Sequence, residues 1–135
     1  RSREVDKQVL LEAIGARYGV SAPWIINEFG ATELSSQLYE TTLREDIYGG
    51  PGPRRLWVPP WVRATPVDPE TLDPVEGDAV GILRIDDAAN LDSVCCIQTA
   101  DLAQRLADGI VVLGRAPGAT PRGCSLAADQ ALGAR

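Results

Sequence analysis

The chain has 135 residues, 44% of them hydrophobic, and a formal net charge of −6. A chain of this length fits one domain with a real core, about 68% of its unfolded surface being buried at such a size. The negative balance excludes nucleic acid or an anionic membrane surface as the main partner, since both need clustered Lys and Arg, and no run of about 18 apolar residues exists to span a bilayer.

In chain order, residues 3–18 read as an amphipathic helix. Val5, Val9, Leu10, Ala13 and Ile14 recur at the helical interval, Ser2 can cap the start, and Gly19 stands where a left-handed C-terminal cap belongs. After Pro23, the run Trp24-Ile25-Ile26-Asn27 is long enough for one buried strand leading into the turn Gly30-Ala31-Thr32-Glu33. A ligand at the end of such a strand is a common arrangement in α/β sheets. Gly49-Gly50-Pro51-Gly52-Pro53-Arg54-Arg55 forbids regular structure and reads as a linker or a mobile loop over 49–55, separating a helix–strand segment, 1–48, from the remainder of the chain.

Beyond that break the pattern turns to β. Strand-like runs at 61–67, 80–85, 94–99 and 110–113 alternate with turn signals at Asp68-Pro69, Asp73-Pro74, Gly77-Asp78 and Asp108-Gly109. Residues 102–106 read as a brief helical turn between two strands. The expected fold class is α+β: a helix–strand unit followed, over 56–115, by a mostly antiparallel, barrel-like β subdomain. Residues 116–135, rich in Gly, Ala and Pro, read as a loosely ordered tail.

With no His in the chain, Ser-His-Asp and Cys-His catalysis are excluded, and a zinc site has poor means. Cys95, Cys96 and Cys124 have no metal-ligand spacing; free thiols point to the cytosol, and the adjacent pair reads as one or two small buried residues. The chemistry concentrates elsewhere. Asn27-Glu28-Phe29-Gly30-Ala31-Thr32-Glu33-Leu34-Ser35-Ser36-Gln37-Leu38-Tyr39-Glu40 brings a glycine, a hydroxyl and a carboxylate into four residues, as a phosphate and its metal require. Thr99-Ala100-Asp101 follows one β-like run, Leu113-Gly114-Arg115 closes the next, and Arg122-Gly123-Cys124-Ser125-Leu126 lies in the tail. Each has a plain alternative: Thr32 capping a turn, Asp101 capping a helix, Arg115 solubilising a strand end, Cys124 an inert thiol.

The order and spacing of these segments resemble the later core motifs of adenylate-forming enzymes, and the longer matches resemble the acyl-protein synthetase family, which includes the fatty-acid-activating component of bacterial bioluminescence. The resemblance covers nearly the whole chain but only the C-terminal portion of such an enzyme. It implies a cytoplasmic ATP- and Mg²⁺-dependent ligase that forms an acyl-adenylate from a fatty acid and passes the acyl group to a protein cysteine. By that resemblance Phe29 and Gly30 lie along the adenine, Thr32 binds the α-phosphate, Glu33 helps hold Mg²⁺, Asp101 binds the ribose hydroxyls, Arg115 contacts ribose or phosphate, and Cys124 accepts the acyl group. Glu33 and Asp101 are then expected in one cleft. Trp57-Val58-Pro59-Pro60-Trp61 matches a scaffold segment, its rings filling a corner of the β subdomain. Phe29 replaces the family's usual Tyr, and Ala100 and Ala103 replace an acidic residue and a glycine. The upstream phosphate loop and a catalytic lysine domain have no counterpart, so the segment alone is expected to be inactive and to need the missing N-terminal part; an acyl reductase is the partner implied. The alternatives are a phenylacetate-type acyl- or aryl-CoA ligase, and a non-catalytic lobe that binds a nucleotide or a partner.

Overall fold

A computed structural model describes residues 5–49 and 52–119. The first helix, α1, spans Lys7–Tyr18. Asp6, not Ser2, caps it: its carboxylate accepts from the backbone N–H groups of Gln8 and Val9 at 2.9 and 3.2 Å, satisfying donors that the first turn leaves free. Gly19 closes the helix at φ 68°, as its position predicts. The apolar stripe is weaker than the sequence suggests, because α1 buries Leu11 while Val5, Val9 and Leu10 stay about half exposed.

The strand expected at 24–27 is instead a 3₁₀ turn, Ala22–Trp24, followed by irregular chain. Pro23 explains the change: it has no N–H to give a ladder, and its fixed φ suits a tight turn. Pairing starts later, between β1 (Glu28–Phe29) and β2 (Leu38–Tyr39), an antiparallel ribbon in which Phe29 faces Leu38. A short helix, α2 (Thr42–Tyr48), comes immediately after, with the Thr41 hydroxyl donating to Glu45.

The larger sheet is an antiparallel meander in the order β3-β4-β5-β6, formed by Val62–Val67, Val80–Asp87, Cys96–Leu106 and Gly109–Arg115. β5 runs without interruption through 102–106, where a helical turn was expected. Leu102 and Ala103 pair with β4 on one side and β6 on the other, and two flanking ladders outweigh a weak local helix preference. The α+β class and the antiparallel pairing are as the sequence predicts, but the four strands form an open sheet and not a closed barrel. Arg105 on β5 reaches the Ala64 carbonyl of β3 at 3.2 Å, a side-chain tie between strands that are not neighbours. On the other edge Leu56 exchanges both backbone hydrogen bonds with Ile110, at 2.8 and 3.1 Å. Trp57 N–H then bonds to the Tyr39 carbonyl, stitching the small ribbon to the sheet.

Strand alternation places Val62 and Ala64, Leu83 and Ile85, and Ala103 and Ile110 in one buried cluster with Leu38 and Leu56. Phe29, Leu34 and Val58 pack against it from the ribbon side. Full burial of Leu38, Leu83, Ile85 and Ile110 contributes about 1.5–3 kcal/mol each. The cluster therefore runs across the 49–55 break, and the described part of that break is tied down. Arg54 bonds to Glu40 and to the Ala22 and Ile25 carbonyls, and Arg55 bonds to Glu45 and Asp108.

Candidate functional site

The segment 27–40 is a closed ribbon whose two ends are held by one carboxylate. Glu40 is buried, pairs with Lys7 at 2.8 Å and with Arg54, and accepts from the Asn27 N–H at 3.1 Å. Between the strands the chain loops out, leaving Gly30, Thr32 and Glu33 exposed, while Leu34 turns in toward the core. The far side of the loop is clipped to the end of β4. Asp87, fully buried, accepts from the N–H groups of Ser35 and Ser36 at 3.0 and 2.8 Å, from the Ser36 hydroxyl at 2.9 Å and from Ala89 N–H at 3.0 Å. Burial by itself pushes its carboxyl up, but the Ser36 hydroxyl and the three N–H groups together outweigh it and hold Asp87 below the usual carboxylate range. Asn90 adds a second clip, donating to the Glu33 carbonyl at 2.6 Å. The Ser35-Ser36 and Glu40 positions of the motif thus do structural work, and Thr32 and Glu33 are presented to solvent on an anchored loop.

Asp101 and Arg115 meet directly. They are register partners on β5 and β6, and Arg115 Nη1 lies 3.2 and 3.5 Å from the two carboxylate oxygens of Asp101. Both motifs sit at faults in the ladder. Around Thr99 the β4–β5 register shifts; the Thr99 hydroxyl donates to the Leu83 carbonyl at 3.0 Å and accepts from Asp101 N–H at 3.1 Å. On β6 the register slips between Val112 and Gly114, and Gly114 takes φ 122°, which a side chain adopts only under strain. Bulges of this kind re-aim side chains, and here they set carboxylate against guanidinium at the strand end. Asp101 is a strand residue and caps no helix.

Glu33 is held at the β4–β5 turn through Asn90, and Asp101 lies midway along β5, opposite Arg115 of β6. Two surface hollows, of about 530 and 480 Å³, are lined by neither Thr32, Glu33, Asp101 nor Arg115. No group of three or more Cys, Asp or Glu side chains able to hold a metal exists among the described residues. Cys124 lies outside the described residues.

Cys95 and Cys96 are both exposed, not buried as expected, because β5 begins only at Cys96 and the pair sits at its rim. The Cys96 thiol donates to Asp86 at 2.8 Å, and this bond, with the neighbouring Cys95 and the Asp86 charge, pushes it up to about 11. A thiol so placed is a poor nucleophile at neutral pH. Trp57 and Trp61 are also about half exposed and do not fill a corner of the sheet; Trp61 donates to the Ser36 hydroxyl at 2.9 Å. The larger hollow collects Arg44, Arg63 and Arg105 beside Trp57, a grouping with no sequence signal because the four come from separate elements.

No protein family, curated protein or solved structure matches the chain.

Proposed function

We propose that this chain is the C-terminal part of an ATP-dependent acyl-protein ligase that adenylates a fatty acid and passes the acyl group to Cys124. The observation that carries the reading is the Asp101–Arg115 pair. The carboxylate of Thr-x-Asp and the guanidinium of Gly-Arg, 14 residues apart in sequence, come within 3.2 Å at two bulges. A carboxylate accepts two hydrogen bonds at once, which suits the vicinal hydroxyls of a ribose, and the adjacent guanidinium suits a phosphate. The exposed, anchored Thr32-Glu33 turn is free to meet the α-phosphate and Mg²⁺, where it would stabilise charge at phosphorus. ATP and Mg²⁺ are the cofactors of this reading; a fatty acid, the missing N-terminal part of the enzyme and an acyl reductase are its partners.

In the complete enzyme, ATP and a labelled fatty acid should leave a protein-bound label that neutral hydroxylamine releases. Cys124→Ser should abolish that label while acid-dependent pyrophosphate release persists, since serine keeps the size but is a far poorer nucleophile. Label surviving in Cys124→Ser assigns the transfer to another group and rejects the role of Cys124.

A second reading is favoured by the structural employment of Ser35, Ser36 and Glu40: a non-catalytic lobe that holds a nucleotide or docks a partner. Loss of pyrophosphate release in Glu33→Gln supports the ligase; unchanged release supports the lobe.

A further inference from the structure

Arginines in the described residues divide into two sets. Arg54 pairs with Glu40, Arg55 with Glu45 and Asp108, Arg84 with Asp86 and Arg115 with Asp101. Arg17, Arg44, Arg63 and Arg105 make no ion pair with a described residue, and three of these, Arg44, Arg63 and Arg105, line the same hollow of about 530 Å³. In a chain of net charge −6, leaving three guanidiniums together without a carboxylate partner invites an external anion. The one acidic side chain at the rim, Asp108, is already engaged by Arg55.

The three come from three elements: Arg44 from α2, Arg63 from the edge strand β3, and Arg105 from the end of β5. Arg105 is partly fixed by its bond to the Ala64 carbonyl, so the hollow spans the gap between β3 and the β5–β6 hairpin. One wall is apolar, formed by Val62 and the half-exposed indole of Trp57. We propose that this hollow binds a small organic phosphate, its dianionic head held by Arg44, Arg63 and Arg105 and its flat or apolar body laid on Trp57. A phosphate monoester brings about −1.5 to −2 charges at neutral pH, a better match to three guanidiniums than the single charge of a carboxylate. Guanidinium forks bind phosphate oxygens in pairs and also stack on aromatic faces. The volume lies within the range of roughly 300–1,000 Å³ typical of small-molecule sites. Neither Asp101 nor Arg115 lines the hollow, and the inference stands apart from the proposed ligase activity.

The test is titration of the chain with phenyl phosphate, monitored by backbone and indole amide NMR shifts. Saturable shifts at Trp57, Arg63 and Gly109, with a dissociation constant below roughly 1 mM, are expected, and phenol should produce none. The double variant Arg44→Gln/Arg63→Gln should weaken phenyl phosphate at least about tenfold. Both side chains are exposed, so the fold should hold, which unchanged shifts in the β4–β5 core would verify. Equal affinity in the double variant, equal binding of phenol, or shifts centred away from Trp57 would each overturn the proposal.

Discussion

At the scale of single residues, Asp87 decides where the candidate loop lies. One buried carboxylate takes four hydrogen bonds and fixes the Ser35-Ser36 half of the 27–40 ribbon to the end of β4. Asp87→Asn keeps the shape but turns an accepting oxygen into a donor facing N–H groups, and should cost about 2–3 kcal/mol in urea unfolding. The direction of its shift sets the pH dependence. The folded carboxyl titrates below its ordinary 3.8, so its contribution is complete only above about pH 5 and is lost as pH falls through the folded value. The variant should therefore lose less stability than the wild type between pH 4 and pH 2. The slope that remains has another source in Asp68, whose carboxyl is held down by the backbone N–H groups of Thr71 and Glu70. A variant as stable as the wild type at pH 7 would show that the loop is anchored by something else.

At the scale of elements, three of the four sheet strands were legible, and the second half of β5 and the short elements were not. Residues 61–67, 80–85 and 110–113 alternate or run apolar between turn residues, and β3, β4 and β6 form there. The Asp108-Gly109 signal marks the hairpin correctly, with Ala107 and Asp108 as the loop and Gly109 as the first residue of β6. The failures share a cause. Whether 102–106 is helix or strand is settled by partners on β4 and β6, and whether 24–27 pairs is settled by Pro23 and by the register of Phe29 with Leu38. α2 escaped notice because seven residues carry too little periodicity to stand out. Gly109 shows how tight the stitching is. A Cβ there would come within 2.5 Å of the Leu56 carbonyl oxygen, a backbone atom that cannot move without breaking the Leu56–Ile110 exchange. Gly109→Ala should lose about 1–3 kcal/mol in denaturant unfolding and speed hydrogen exchange at Ile110; unchanged exchange would mean that the edge yields freely.

At the scale of the whole molecule, the residues that the resemblance singles out fall into two places. Phe29, Gly30, Thr32 and Glu33 belong to the ribbon, anchored at the β4–β5 turn, and Asp101 with Arg115 belongs to the pairing of mid-β5 with the end of β6. The resemblance singles out Asp101 and Arg115 one by one and could not foresee that bulges on both strands bring them together. The claim at the centre of the proposed function is that Asp101 holds a nucleotide ribose. Its most direct test is the affinity of the complete enzyme for ATP with Mg²⁺, in the wild type and in Asp101→Ala, measured by calorimetry with 2′-deoxy-ATP as a second ligand. The wild type should prefer ATP to the deoxy analogue, and Asp101→Ala should bind ATP at least about tenfold more weakly and lose that preference. Unchanged ATP affinity in a folded Asp101→Ala enzyme would contradict the account.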